Sequence, residues 1–216
     1  MRQLIVLLIS ACLTFPAAAS PDLVKKTKSA APRYDYRDGD IVFQGNGGIQ
    51  GDAVRAATGS DYTHCGLIFR QDGKLMVLEA VHPVRVSTLE NFIHRSLPGT
   101  FKAMRLKKPI DPAALAKGRS WAGRQVGVDY DLKFRWSDDQ IYCSELVWKA
   151  YEKAGTKLCE PRPFRSYKLD APIVRKLIEH RYGGMDKLPL DEPAVSPGDL
   201  AESKLLVEVP RLNSKK

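Results

Sequence analysis

The sequence predicts an α+β domain in which an antiparallel sheet packs against helices. Three observations carry that expectation. "THCGLIFR" and "KLMVLEAV" are β-rich runs joined by "QDGK", and Asp-Gly supplies the positive φ angles of a tight hairpin turn. "YCSELVWKAYEKAG" repeats apolar residues at three- and four-residue steps (Leu146, Val147, Ala150, Tyr151, Ala154), the signature of a helix with one buried side. The remaining elements mix short strands and helices without the regular alternation a parallel sheet requires.

Taken in order, "MRQLIVLLISACLTFPAAAS" has one basic residue, Arg2, an apolar run from Leu4 to Leu13, and small residues at Ala17 and Ala19. The run is short of the ~18 apolar residues a span needs, so residues 1–19 read as a secretory signal cut after Ala19. "ISAC" ending at Cys12 offers lipoprotein processing as the lesser alternative. The chain is therefore expected to be exported, to the periplasm, without a stable membrane span. Cleavage of 19 of the 216 residues leaves 197 and lowers the formal charge from +9 to +8, since only Arg2 is lost. The basic residues are dispersed and aromatics are not interleaved with them, which argues against a nucleic-acid partner.

Residues 20–37 are polar at first and read as a flexible leader, with one domain expected over 38–212. A strand is expected at 40–44 and a helix in "GGIQGDAVRAATG", followed by the hairpin and a short strand in "VRVS". "STLENFIHR" opens on a Ser/Thr cap and reads as helix. "TFKAMRLK" is a strand, and "DPAALAKGRSWAGRQVG" is a helix with Asp111 as N-cap and Pro112 at its first position. The loop "VDYDLKFRWSDDQ" leads to the helix that starts at Cys143. "DAPIVRKLIEHRYGG" and "SPGDLAES" are further helices, and "KLLVEVP" is a last strand.

Three cysteines remain after cleavage: Cys65, Cys143 and Cys159. An odd number in an oxidising compartment leaves at least one unpaired within the chain. Successive strand side chains point to opposite faces, so if His64 faces a site, its neighbour Cys65 faces away and is expected to be a small core residue. With Asp72-Gly73 as the turn, Phe69 pairs with Met76, Leu67 with Leu78, Gly66 with Glu79 and His64 with Val81. His64 and Glu79 then share a face as diagonal neighbours ~7–8 Å apart at the backbone, and Gly66 leaves room for the carboxylate to lean toward the ring. A one-residue change of loop length would separate them. Cys143, at the start of a helix, occupies a position where N–H groups and the helix dipole favour a thiolate. Nucleophile, base and orienter are thereby available in Cys143, His64 and Glu79.

"GDIVFQ", "DYTHCGLI", "LEAV", "VDYDLKFRWSDDQIYCSELVWKAY" and the late "VSP" resemble the YiiX/YaeF-like branch of permuted papain-like enzymes, in the NlpC-type cysteine peptidase superfamily. Lecithin retinol acyltransferase is a more distant permuted relative. The resemblance runs from about Asp38 to Val209. It implies a circularly permuted papain-like fold with a partly barrel-like sheet, in which histidine precedes cysteine along the chain. It also implies Cys143 as nucleophile, His64 as base and Glu79 as orienter, with Tyr130 and the backbone N–H of Cys143 as oxyanion donors. The expected activity is cysteine amidase or peptidase chemistry on small amide or cell-wall-peptide substrates, without metal or organic cofactor. A lipid-directed acyl hydrolase or acyltransferase and a non-catalytic binding module are the alternatives. A zinc site would have too few clustered ligands, with His82, His94 and His180 scattered along the chain. Trp136, Arg135 and Phe164 are the side chains offered for the pocket walls.

Overall fold

The computed structural model describes residues 33–212, and the expected signal segment and Cys12 lie outside them. Among the described residues, eight strands and six α-helices follow one another: β1 (Ile41–Gln44), α1 (Gly48–Thr58), β2 (His64–Gln71), β3 (Lys74–Glu79), β4 (Arg85–Thr88), α2 (Leu89–His94), β5 (Lys102–Leu106) and α3 (Pro112–Gly123). After a long loop come α4 (Cys143–Lys153), β6 (Arg162–Pro163), α5 (Pro172–Tyr182), β7 (Pro193–Ala194), α6 (Pro197–Ala201) and β8 (Leu206–Glu208). Six strands form one antiparallel sheet in the order β4-β3-β2-β1-β5-β8, and β6 and β7 make a separate two-stranded ribbon. The α+β class with helices on an antiparallel sheet is the one expected.

The β2–β3 hairpin turns at Asp72 (φ 51°) and Gly73 (φ 75°), the left-handed pair that Asp-Gly provides. Its register pairs Leu67 with Leu78, Phe69 with Met76 and Gln71 with Lys74, as the turn assignment requires. Pairing toward the open end is not continued to Val81, because β3 stops at Glu79.

Each face of the sheet has its own core. Ile41, Phe43, Cys65, Leu67 and Phe69 face α3, α4 and α6, meeting Trp121, Leu146, Val147 and Leu200. Val42, Ile68, Val77 and Ala103 face the other way, onto Leu89 and Phe92 of α2 and onto Phe101 and Tyr34. Tyr34 corrects the expected leader boundary. It is buried, bridges to Arg211, and is followed by Asp35, whose backbone N–H donates to the Pro210 carbonyl. Buried Asp40 anchors this segment: Arg105 donates to its two carboxylate oxygens at 2.7 and 2.8 Å and to the Asp35 carbonyl at 2.6 Å. Residues before Asp38 thus belong to the domain, because an aromatic and an ion pair tie them to the sheet.

Helix α4 departs from the expected one-sided burial. Cys143 to Tyr151 are all buried, including Glu145 and Lys149. The polar side is covered by the loop before the helix, where the Lys149 ammonium donates to the Ser137 carbonyl at 3.0 Å and to Asp138 at 2.6 Å while pairing with Glu145 at 2.8 Å. Trp136 lies edge-on against Trp148 and under the Lys149 ammonium, so it closes the helix rather than walling a pocket. Arg135 likewise serves the loop, its backbone N–H donating to Asp131. The apolar side packs on α3, where the backbones approach so closely that a β-carbon on Gly118 would lie 2.3 Å from the Ala150 carbonyl oxygen. Gly118→Ala must push α3 off α4, and a loss of about 1–3 kcal/mol in urea-denaturation stability is expected; an unchanged midpoint would contradict this packing.

Candidate active site

His64 is the first residue of β2 and Cys143 the first of α4, so the two meet at the ends of their elements. The His64 ring belongs to the α2 face, stacked on Phe92 with centroids 5.5 Å apart. Its Nε2 lies 2.7 Å from Glu79 Oε2, the contact that the hairpin register makes available. That leaves Nδ1 for the Cys143 sulfur, which helps to raise the His64 pKa. Sulfur, imidazole and carboxylate therefore form one buried line, with Cys143 and His64 each 4% exposed and Glu79 fully covered.

Glu79 is held from its other side by residues that sequence reasoning did not single out. Ser87 donates to Oε1 at 2.8 Å, Arg95 at 2.5 Å and Arg85 at 3.4 Å. Arg85 and Ser87 are on β4, with Arg85 directly opposite Glu79. The signal for them would have been the β3–β4 register, but the intervening "AVHPV" has no two-residue turn from which to count. Burial alone would raise the Glu79 pKa; the bonds from His64 and Ser87, with Arg95 nearby, hold it down to about 2. Burial alone would likewise deprive His64 of its proton, yet Cys143 and Glu79 on its two sides raise its pKa to about 9.

Gly66 has the expected role with a different first neighbour. An added β-carbon would sit 2.5 Å from Val77 Cγ1, 3.0 Å from the Leu78 carbonyl and 3.4 Å from the Glu79 β-carbon. A side chain there displaces the strand that carries Glu79 before it touches the carboxylate.

Cys65 requires a correction. It is buried and on the opposite strand face from His64, as expected, but it is not a bystander. Helix α4 docks on the face that Cys65 shares with Leu67 and Phe69, bringing Cys143 into the same core cluster and within electrostatic reach of the Cys65 thiol. Both neighbours therefore influence Cys143. The Cys65 thiol is the largest influence lowering the Cys143 pKa; burial opposes it, and the His64 bond and charge and the Cys65 backbone amide add to the lowering. The lowering thus comes in part from side chains that the helix start at Cys143 does not itself supply.

Tyr130 is brought to the same place. It is buried, and a parallel bridge to Ile141 pins it two residues before Cys143. Its hydroxyl interacts with the Cys143 sulfur and accepts a bond from Gln50 Nε2 at 3.0 Å. The Cys143 N–H lies in the first turn of α4, where a helix offers it no internal acceptor. Cys159 stands apart at the far end of α4, half-buried behind Trp148, whose Nε1 donates to its carbonyl at 2.7 Å. None of Cys65, Cys143 and Cys159 is in a disulfide. His82, His94 and His180 are exposed and away from this line.

An apolar groove with a cavity volume of about 120 Å³ opens beside the sulfur. Its walls come from α1 (Ala53, Val54, Ala57) and α5 (Val174, Leu177, Ile178), and Phe164, Phe134 and Tyr130 also line it. Of the three side chains offered for pocket walls, Phe164 alone takes that place.

Residues 35–209 match the model of a family described as permuted papain-like amidase enzymes, YaeF/YiiX. The chain is 35% identical to YiiX of Escherichia coli strain K12 over 172 residues, covering 79% of this chain and 84% of that one. A crystal structure of the metalloprotein yiiX from Escherichia coli O157:H7 superposes with a TM-score of 0.76 at 34% identity, covering 82% of this chain and 97% of that one.

The dependence of the sulfur on Cys65 is measurable. Iodoacetamide alkylation of Cys143, followed by site-resolved mass spectrometry across pH, should begin at higher pH in Cys65→Ala than in the unsubstituted protein. Cys65→Ser, which keeps a donor, should restore much of the difference. Superimposable profiles would show that Cys65 is only core.

Proposed function

The chain belongs to the permuted papain-like amidase family, and from that premise we propose that it is an exported NlpC-type cysteine hydrolase working through a thiol acyl-enzyme. Its substrates would be small amides or cell-wall-derived peptides. The observation that carries the reading is the buried line from the Cys143 sulfur through His64 to Glu79, ending beside an open groove. Export is supported by the apolar leader with its A-x-A site.

The chemistry follows from the charges. Cys143 with a lowered pKa and His64 with a raised one favour a thiolate beside an imidazolium. The sulfur attacks a carbonyl carbon, and its oxygen takes the negative charge, met by the Tyr130 hydroxyl and the Cys143 N–H. As the tetrahedral centre collapses, the His64 proton passes to the leaving amine or alkoxide and a thioester remains. His64 then takes a proton from water, the hydroxide displaces the sulfur, and the acid product leaves. Glu79 keeps the ring in the orientation that points Nδ1 at the sulfur and stabilises its charge.

A second reading, acyl transfer or hydrolysis on a lipid, is favoured by the groove itself. Walls of alanine, valine, leucine and phenylalanine suit an acyl chain better than a charged peptide. Among the described residues no group of three or more His, Cys, Asp or Glu is arranged to hold a metal ion, and His64 Nε2 is paired with Glu79.

Amino-acyl amides, muropeptides and phospholipids tested side by side should show turnover that disappears in Cys143→Ala. Turnover that persists in that variant would exclude Cys143 as the nucleophile, and none on any substrate would favour a non-catalytic binding module. For the active substrate, kcat/KM should fall as pH rises through about 9, where His64 loses the proton it gives to the leaving group. If lipid is the substrate, Val174→Arg should block the groove, weakening long-chain esters at least tenfold while sparing acetyl esters. Equal losses on both would remove the acyl-chain reading.

A further inference from the structure

A phenol has one hydrogen, and Tyr130 can steady a negative oxygen only if that hydrogen is not already committed. The residues behind Tyr130 decide this. Gln50 on α1 lies 3.0 Å from the Tyr130 hydroxyl through Nε2 and 2.5 Å from Arg181 Nη2 through Oε1. A guanidinium has donors and no acceptor, so the amide oxygen must be the atom that faces it. The amide NH₂ is then forced toward Tyr130, where it donates into a lone pair of the phenol oxygen. Arg181 is itself fixed, donating to the Leu132 carbonyl at 2.9 Å and lying over the Phe134 ring at 5.3 Å. Phe134 holds a left-handed backbone (φ 51°), uncommon for a bulky residue, and packs edge-on against both Tyr130 and Tyr142.

We propose that Gln50 and Arg181 are positioning residues for the oxyanion site: Arg181 orients the Gln50 amide, the amide occupies the acceptor side of Tyr130, and the phenolic O–H is left to point at the groove beside Cys143. The catalytic consequence rests on the hydrolase reading above; the directed chain of bonds does not. Through this chain, α1 and α5 control a donor on the distant loop, and the guanidinium polarises the chain toward the negative oxygen. Neither residue touches the reacting atoms.

Gln50→Glu tests the direction of the chain with almost no change of shape. A carboxylate still pairs with Arg181 but can only accept, so it draws the phenolic hydrogen away from the groove. With p-nitrophenyl acetate as probe, Gln50→Glu and Tyr130→Phe should each lower Cys143-dependent kcat by roughly 10²-fold with little change in KM. The double variant should be no slower than either single one. Alkylation of Cys143 should still begin below the range of an ordinary cysteine in all of them, because the contacts with His64 and Cys65 are kept. A Gln50→Glu effect under about threefold, or effects that multiply in the double variant, would overturn the proposal. Absence of Cys143-dependent turnover in the unsubstituted protein would instead remove the hydrolase reading, and a second arm still decides the chain of bonds. The Gln50 side-chain amide signal in ¹H–¹⁵N spectra, identified by its loss in Gln50→Glu, should shift in Tyr130→Phe and in Arg181→Met. A signal that stays in place would refute the chain.

Discussion

A cysteine whose pKa is lowered in a nearly sealed interior is the constraint around which this structure is arranged. Burial disfavours the Cys143 thiolate, and compensation comes from neighbours in contact with it: the Cys65 thiol first, the His64 imidazolium next. The imidazolium has the same difficulty and is relieved by Glu79, whose charge is in turn met by Ser87, Arg95 and Arg85. No member of this series is stable as an ion by itself in a medium of low polarity. The chain of compensation ends at the surface with arginines, where water finishes it.

The fold serves that series by bringing together the ends of its elements. Cys65 and His64 are consecutive residues with opposite strand directions, so no object lying flat on one face could contact both. The start of α4 succeeds because it arrives at the end of β2, where it covers Cys65 and remains open to His64. The close contact of α3 with α4 at Gly118 and the covered Glu145–Lys149 pair fix where that helix starts. On the outer side, α1 and α5 supply both the apolar groove and, through Gln50 and Arg181, the orientation of Tyr130.

Much of this was legible from local rules. A two-residue Asp-Gly turn has a single natural register, and counting outward from it places His64 and Glu79 on one face. The helix from Cys143 could be read from its periodicity, and its extent was right. What could not be read depends on which surfaces meet. Strand alternation says that Cys65 points away from His64, but not that a helix carrying a second cysteine will land there. Periodicity marks an apolar stripe and says nothing about a loop folding over the opposite side, so the burial of Glu145 and Lys149 was invisible. Arg85 and Arg95 look like surface basic residues until the β3–β4 register sets one of them opposite Glu79. Gln50 and Arg181 are separated by most of the chain and have no pattern to connect them. Tyr34 lies in a stretch whose composition resembles a leader, and its contact comes from Arg211 near the other end.

The central claim is that Cys143 is a thiolate at neutral pH. The ultraviolet thiolate absorbance, taken as the difference between the unsubstituted protein and Cys143→Ala and titrated from acid upward, measures it directly. The account predicts a difference already present at neutral pH that disappears only on acidification. A difference that emerges only near pH ~8.5, the range of an ordinary cysteine, would contradict it.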